Sequence, residues 1–281
     1  MPEPFDVAVI GSLHLDIMVK GPHLPRLDET VIGSAWWFKC GGKGGNQAIA
    51  AARAGARVGF VGAIGEDDFG RKLRDNLVHA GIDCSRLAVD RGTGSGMSVA
   101  IEDAQGAYGA VVVSGANRTI AVAQLQGLSA HVLLLQNEVP PDINEEGARQ
   151  LSARGAYVIH NAAPFLPETR QFADLVVVNR VEAAMAGFDI VSVPDVLRAA
   201  EMIAGACDAI VTLGSDGCII ASRDGERQHL AAEAVAVVSS HGAGDAYCGA
   251  LAAAIAKGAD IFAAAREANK AAARLVAQAA G

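Results

Sequence analysis

Residues 239–257, SSHGAGDAYCGALAAAIAK, constrain the fold more than any other stretch of the chain. A β-rich run at 234–238 leads into the turn Gly242-Ala243-Gly244, and an alanine-rich helix with Asp245 in its first turn follows. The free N–H groups at a helix start and the positive end of its dipole favour an anion there. A carboxylate beside such amides suits phosphoryl transfer. The alternative is structural, because an aspartate also stabilises a helix start without any chemistry.

The composition predicts an α/β protein with no nucleic-acid or membrane partner. The 281 residues, 51% of them hydrophobic, suffice for one large domain or a domain with a small annex. A net charge of −8 argues against a nucleic-acid surface. No signal peptide or apolar run of membrane-spanning length is present. Five scattered cysteines without CxxC spacing are typical of reduced thiols, so we expect a cytoplasmic location.

The apolar runs predict a parallel sheet with helices between its strands. Residues 6–11 and 58–64 are nearly all apolar, as buried parallel strands are. From His131 onward the alternation of apolar runs and helical patterns predicts strands at 132–136, 156–160, 175–178 and 209–213. A hairpin at 218–222 and 227–230 and two alanine-rich helices at 246–256 and 261–279 complete the pattern.

A second, smaller sheet is predicted from strands that have one exposed face. Residues 12–20 alternate apolar and polar side chains, with Asp16 on the open side. Residues 30–38 form another such strand, and residues 95–102 and 108–113 flank the turn DAQGA as a hairpin. Apolar residues on a half-exposed sheet of this kind favour pairing with a second copy, so a homodimer is plausible.

A second glycine-rich helix start lies in CGGKGGNQAIAAARAG, residues 40–55. The pattern predicts a helix from Asn46 to Ala54 that ends at Gly55. Neither a Walker A motif nor a dinucleotide-binding fingerprint is present, since the required spacings are missing. With Lys43 and Asn46 as its polar groups, the segment suits a polyhydroxylated ligand better than a pyrophosphate.

Three segments, GSxxxD (11–16), GGKGGNQA (41–48) and GAGD (242–245), occur in this order. Together they resemble the ribokinase-like (PfkB) family of sugar and nucleoside kinases, and the resemblance covers nearly the whole chain. It implies one kinase domain over residues 1–281 with a doubly wound, mostly parallel α/β sheet. The strands at about 12–20, 30–38, 95–102 and 108–113 would then form a small β-sheet lid over the sugar.

The resemblance implies roles for individual residues. Asp245 would be the general base, and Gly242, Ala243 and Gly244 would form the anion hole for the transferred phosphoryl group. Asp16, Gly42, Lys43 and Asn46 would hold sugar hydroxyls, and Glu138 would face the sugar, although a solvated strand end is an easy alternative for Glu138. His14 stands where ribokinases typically carry an asparagine, which leaves the identity of the sugar open.

The same resemblance implies an ATP and Mg²⁺ site. Asn179 and Glu182 match an N-x-x-E motif that organises Mg²⁺ through water, although a helix start capped by an asparagine is the structural alternative. Arg180 replaces an acidic residue often seen in that motif. ATP would be bound by Thr212, Gly214, Ser215 and Gly217 of the segment TLGSDG, with Asn269 against the adenine.

Departures from the family pattern leave the monovalent cation open. Ser239-Ser240 replaces the usual Asp-Thr pair, and the sequence stops at Gly281, where members usually continue with a loop that completes a K⁺ site. The prediction is therefore an ATP- and Mg²⁺-dependent kinase for a primary hydroxyl of a small sugar, ribose first. The alternatives are a kinase for another sugar or a nucleoside, and a sugar- or nucleotide-binding protein with impaired catalysis.

Overall fold

The structure of the chain, a computed structural model, describes residues 3–103, 108–166, 172–188, 199 and 207–278. Most of the predicted DAQGA turn and the end of the last predicted helix lie outside these residues. The strands are β1 (Phe5–Ile10), β2 (His14–Lys20), β3 (Ala35–Gly41), β4 (Val58–Gly65), β5 (Asp83–Asp90), β6 (Met97–Glu102), β7 (Tyr108–Val113), β8 (Ala130–Gln136), β9 (Tyr157–Asn161), β10 (Leu175–Asn179), β11 (Asp208–Thr212), β12 (Cys218–Ala221) and β13 (Arg227–Leu230). The α-helices are α1 (Lys43–Arg53), α2 (Asp68–His79), α3 (Pro141–Ser152), α4 (Arg180–Met185), α5 (Ala243–Ala256) and α6 (Ile261–Val276).

Within the described residues, one sheet has the strand order β13-β12-β11-β10-β9-β8-β1-β4-β5. The strands from β11 to β5 are parallel, and β12 and β13 add an antiparallel edge. The chain runs from β1 outward to β5 and then returns to β8 on the other side of β1, so the strand order reverses there. The predicted doubly wound, mostly parallel sheet is confirmed.

The β1 run is apolar on both sides because helices cover both faces of the sheet. Val7 and Val9 pack in the same core cluster as Ala48 of α1 and Leu251 of α5. Their neighbours Ala8 and Ile10 pack on the other face, in a cluster that includes Ile143, Ala148 and Leu151 of α3. A strand buried on both faces cannot alternate apolar and polar residues, which explains its continuous hydrophobic pattern.

A second sheet with the order β3-β2-β6-β7, here called the lid sheet, follows directly from the end of β1. Strands β2 and β6 are parallel, and the β2–β3 and β6–β7 pairs are antiparallel. The lid sheet contacts α2 through Phe38 and Phe69, whose ring centroids are 5.8 Å apart. The lid sheet stands beside the end of β1 and the start of α1, because β2 follows β1 in the chain and β3 leads into α1.

Several predicted boundaries were wrong. Residues 234–238 form no strand, because none of the described strands pairs with them. The side chains of Val237 and Val238 are 63% and 59% exposed. The strand predicted at 30–38 is Ala35–Gly41, and the helix predicted from Asn46 begins three residues earlier. Strand β5 was not predicted, because DCSRLAVD lies at the sheet edge and its apolar run is only three residues long, 87–89.

The sequence predicts no apolar run of membrane-spanning length. Among the described residues, no helix combines the length and the apolar character that crossing a membrane requires.

Candidate active site

Polar side chains stand at the carboxyl ends of four neighbouring parallel strands. Gln136 ends β8, Asn161 ends β9, Asn179 ends β10 and Thr212 ends β11. In open α/β sheets, ligands bind outside these ends at the point where the strand order reverses. The β1–β8 pair is that point here, and both α1 and α5 contact it.

The turn before α1 is closely packed against the end of β1. Gly42 has φ 89°, a value that favours glycine, and a Cβ on Gly44 would lie 2.5 Å from the Gly11 Cα. This approach directs the Lys43 N–H to Glu138 Oε2 at 2.8 Å, and Ser12 donates its hydroxyl hydrogen to the same oxygen. Glu138 is therefore held at the α1 start, as an acceptor for both groups, and is not a freely solvated strand end.

Asp245 is buried in the first turn of α5 and receives two side-chain hydrogen bonds. Its Oδ2 accepts from Asn46 Nδ2 and its Oδ1 from Gln47 Nε2, both at 3.0 Å. Burial raises the pKa of the Asp245 carboxyl above its ordinary value, against the lowering effect of Lys43 and of these two hydrogen bonds. A raised pKa at a buried carboxyl in a cleft is typical of a catalytic base.

Lys43 provides the positive charge among three carboxylates. Burial alone would lower the pKa of its ammonium group, but Asp245, Glu138 and Glu182 outweigh this effect and raise it. Burial also raises the pKa of the Glu182 carboxyl, while the Asn179 N–H and Lys43 oppose that shift. The structure thus brings together four residues that the sequence separates by up to 202 positions.

A buried chain of amide side chains lies beneath Asp245. Gln47 Nε2 donates to Asn161 Oδ1 at 2.9 Å as well as to Asp245, and Gln47 Oε1 accepts from Gln136 Nε2 at 2.8 Å. None of Gln47, Gln136, Asn161 and Ser12 was assigned a role from the sequence. The only signal was the position of Gln47 next to Asn46 in the GGNQA segment, and adjacent helix positions point in different directions.

The turn before α5 is open. Gly242 is in the left-handed region with φ 85°, and a Cβ on Gly244 would have no atom within 4 Å apart from its chain neighbours and its own helix backbone. The start of α5 therefore borders unfilled space beside Asp245, and the Ala243 N–H donates to the Ser240 carbonyl oxygen at 3.3 Å. His241 precedes the turn. Partial burial and the charge of Lys39 lower the pKa of its imidazole below the ordinary value, and the carboxylates of Asp16 and Asp245 oppose this shift only in part. The site thus has mixed charges around the glycine turn before α5.

Two predicted sugar-binding residues lie on the lid sheet. Asp16 Oδ1 accepts from Ser98 Oγ at 2.6 Å, and the Asp16 carboxylate lies against Gly41, where a Cβ would be 2.3 Å from Oδ2. His14 is buried, and its Nε2 has no hydrogen-bond partner in the described structure. Its Cδ2 would be 2.7 Å from a Cβ on Gly96, so the imidazole packs towards the start of β6.

Asn179 and Glu182 form a reciprocal cap at the start of α4. Asn179 Oδ1 accepts from the Glu182 N–H at 2.8 Å, and Glu182 Oε2 accepts from the Asn179 N–H at 2.8 Å. The helix start capped by an asparagine, which was the structural alternative for these two residues, is therefore present in this protein. In this cap Glu182 is buried and lies within the electrostatic range of Lys43, so a structural role and a ligand role are compatible. Arg180 pairs with Asp216, 2.8 Å away.

The other predicted nucleotide-site residues follow β11 or lie on α6. Gly214, Ser215 and Asp216 form a short 3₁₀ turn, and Gly217 has φ 87°, with the space of its Cβ taken by the Leu230 carbonyl oxygen. Thr212 Oγ1 lies 3.4 Å from the Val178 carbonyl oxygen. Asn269 Nδ2 donates to the Ala231 carbonyl oxygen at 3.2 Å, so it ties α6 to the segment after β13.

A cleft of about 1000 Å³ opens beside Asp245. At one end it is bordered by Asn46, Gly242 and His241 and by Lys39 and Cys40 of the lid sheet. It continues along the exposed sides of α1, α5 and α6 as far as Lys257. Within the described residues, no group of three or more His, Cys, Asp or Glu residues has the arrangement of a metal site.

The family model described as "pfkB family carbohydrate kinase" matches residues 5–281. The chain belongs to the pfkB family of carbohydrate kinases. The family resemblance seen in the three motifs is thus confirmed. As a member of this family, the protein is an enzyme, a kinase that transfers a phosphoryl group to a sugar hydroxyl.

Named relatives support this assignment over most of the chain. The pfkB kinase described here is 32% identical to the ribokinase of Bacillus subtilis over 277 residues, covering 95% of this chain and 91% of that protein. It is 31% identical to the ribokinase of Mus musculus, covering 88% and 80%. The structure of Arabidopsis thaliana ribokinase complexed with ribose and ATP superposes with a TM-score of 0.89 at 26% identity, covering 98% of this chain and 93% of that one.

Proposed function

We propose that this carbohydrate kinase transfers the γ-phosphoryl group of ATP to a primary hydroxyl of a small sugar, with ribose as the first candidate. The observation that carries the proposal is the position of the buried Asp245 carboxylate. It lies in the first turn of α5, beside the open space at Gly244 and in the electrostatic range of Lys43. A base and an anion-binding turn are thus adjacent. The ribokinase names of its relatives favour ribose.

The proposed mechanism is an in-line displacement. The sugar hydroxyl oxygen attacks the γ-phosphorus, its proton passes to Asp245, and the bond between that phosphorus and the β–γ bridging oxygen breaks to release ADP. The turn Gly242-Ala243-Gly244 would stabilise the charge on the transferred group, because it borders open space at the positive end of the α5 dipole. Closure of the lid sheet over the sugar would exclude water.

The residues present fit a nucleotide with Mg²⁺. The glycine turn before α5 has room for a phosphoryl group, and the buried carboxylate of Glu182 lies in the electrostatic range of Lys43 and Asp245. One such carboxylate is enough for Mg²⁺ when nucleotide oxygens and water complete its shell. Mg²⁺ would neutralise phosphate charge. Glu182 and Asn179 would hold it through water, and Thr212, Gly214, Ser215 and Gly217 would receive the ATP phosphates. Asn269 would lie against the adenine.

For the sugar, we propose hydrogen bonds from its hydroxyls to Asp16, Gly42, Lys43, Asn46 and Glu138. Asp16 is an acceptor already oriented by the Ser98 hydroxyl. Glu138 is an acceptor oriented by the Ser12 hydroxyl and the Lys43 N–H. His14 would set the choice among pentoses from the β2 side. We expect the enzyme to act in the cytoplasm, where ATP is available and where its five free cysteines stay reduced.

The test is ADP release from purified protein with Mg-ATP and a panel of ribose, deoxyribose, hexoses and nucleosides. Asp245→Asn should lower kcat on the best substrate by about 10²-fold to 10⁴-fold, with sugar binding retained. Release with ribose alone would assign the substrate, and release with a nucleoside or hexose would overturn ribose. Sugar binding without turnover in both proteins would favour the non-catalytic alternative. Parallel reactions without K⁺ test the effect of Ser239-Ser240, and unchanged turnover would mean that K⁺ is not required.

We further propose that the lid sheet pairs with a second copy of the chain. Register pairing puts Ile17, Phe38, Val99 and Val111 in one row, and the exposed fractions of Phe38, Val99 and Val111 are 39%, 38% and 70%. Such an apolar row on an open sheet favours a partner of the same kind.

Substitution Val99→Glu should convert a dimer into a monomer in light scattering, because it buries a charge in the proposed interface. Val122→Glu is the control, since Val122 is 43% exposed but lies outside the lid sheet. A monomeric wild-type protein at micromolar concentration would contradict the proposal.

A further inference from the structure

The most constrained polar group near Asp245 is the Gln47 side chain. Gln47 is 0% exposed, and its amide uses both N–H groups and its oxygen within the protein. A buried polar side chain is costly unless it is fully hydrogen-bonded, and an apolar residue of similar size would fill the same space. Packing between α1 and α5 therefore does not explain why a glutamine stands here.

The direction of every amide in this network follows from one main-chain group. The Val177 carbonyl oxygen can only accept, and Asn161 Nδ2 donates to it at 3.1 Å. The Oδ1 atom of Asn161 must then point at Gln47, so Gln47 turns its Nε2 group towards Asn161 and its Oε1 towards Gln136 Nε2. As a result Gln47 presents an N–H group, and not an oxygen, to Asp245.

This arrangement distinguishes the two oxygens of Asp245. The bond from Gln47 to Oδ1 is fully buried, whereas the bond from Asn46 to Oδ2 is only partly buried. Asn46 also borders the cleft, while Gln47 does not. Oδ1 thus faces a fixed donor inside the protein, and Oδ2 lies on the less buried side, next to the cleft-lining Asn46.

We infer that Gln47 is a positioning residue for the base: it holds Asp245 Oδ1 through a buried amide chain, so that Oδ2 is the atom that accepts the substrate proton. This inference rests on the proposed role of Asp245. The chain from Val177 through Asn161 and Gln47 sets the rotation of the carboxylate. The proton moves from the sugar hydroxyl to Oδ2 as the new oxygen–phosphorus bond forms, and Gln47 itself exchanges no proton.

The electrostatics agree with this geometry. The hydrogen bond from Gln47 lowers the pKa of Asp245, against the raising effect of burial. Loss of this donor would therefore raise the pKa further. Because the base must be ionised to accept a proton, the acid limb of the activity profile would then move to higher pH.

The experiment measures kcat and KM between pH 5 and pH 9 for three variants, with the sugar that the wild type phosphorylates fastest. Gln47→Met keeps the side-chain length and removes both donors. It should lower kcat about 10-fold to 100-fold, change the sugar KM less than about threefold, and move the acid limb up by about half a unit or more. Gln136→Met is the matched control: the same chemical change in the same network, without contact to Asp245, should leave the acid limb in place.

Gln47→Glu serves if the methionine variant does not fold, because it keeps the shape of glutamine. A second carboxyl next to Asp245 should move the acid limb upward even more. An acid limb that is unmoved in both Gln47 variants, or moved equally by Gln136→Met, would overturn the inference and leave Gln47 with a structural role. Turnover retained by Asp245→Asn would instead refute the proposed base itself, so the two failures are distinguishable.

Discussion

The two glycine-rich turns of this kinase look alike in sequence and differ in structure. At the α1 turn (residues 41–45), Cβ atoms added to Gly42, Gly44 and Gly45 would lie 2.5–2.8 Å from atoms of residues 11–13, which connect β1 to β2. At the α5 turn (residues 242–244), a Cβ on Gly244 would meet nothing within 4 Å, and one on Gly242 would reach only Leu275, at 3.5 Å. The glycines of the α1 turn have no room for a Cβ because other protein atoms fill that space, whereas at the α5 turn the same space is free.

The difference separates a structural reason for glycine from a functional one. In the α1 turn, the close approach aligns the Lys43 N–H with Glu138, on the proposed sugar side of the site. In the α5 turn, the unfilled space at Gly244 lies next to a helix start and the Asp245 carboxylate, which suits a bound anion. Substitutions at the two turns should therefore separate stability from turnover.

The largest effect is expected for Gly44→Ala. The added Cβ would lie 2.5 Å from the Gly11 Cα, and both partners are backbone atoms that cannot move independently. We expect a loss of about 3 kcal/mol or more in the free energy of unfolding, measured by chemical denaturation. A variant that unfolds at the wild-type denaturant concentration would show that the α1 turn is not crowded, and the comparison would fail.

Gly244→Ala should affect turnover and not stability. Its methyl group enters empty space at a helix start, so the free energy of unfolding should stay within about 0.5 kcal/mol of the wild type. The methyl group would occupy part of the proposed anion hole, and kcat/KM for ATP should fall about 10-fold to 100-fold. Wild-type kinetics would mean that the phosphoryl group binds elsewhere.

A smaller effect is expected on the pH dependence of stability. Burial raises the folded-state pKa of the Asp245 carboxyl above 3.8. Ionisation of Asp245 therefore lowers the free energy of unfolding, in full once the pH exceeds the folded-state pKa. This cost disappears below the unfolded-state pKa. Asp245→Asn should therefore raise Tm at pH 7, and the gain should shrink as the pH falls towards 3.8. Equal gains at both pH values would show that the change is not due to ionisation of Asp245.

Motifs predicted several partners of the site, but not how they contact one another. Asp245, Lys43, Asn46, Glu138 and Glu182 were selected from short patterns, and the structure brings them together at the point where the strand order reverses. The buried amides escaped prediction because Gln136 and Asn161 lie at ends of apolar strands and carry no local pattern. Only the parallel pairing of β8, β9 and β10 brings them to Gln47.

The sequence by itself determined the α/β class, the buried strands, the two glycine turns and the family, because these depend on local periodicity and on short motifs. Tertiary structure alone decided that residues 234–238 are not a strand, since a strand needs a partner for its backbone groups. It also decided which glycines are crowded and which are open. Close contacts between residues far apart in the chain set those properties, and no local pattern encodes them.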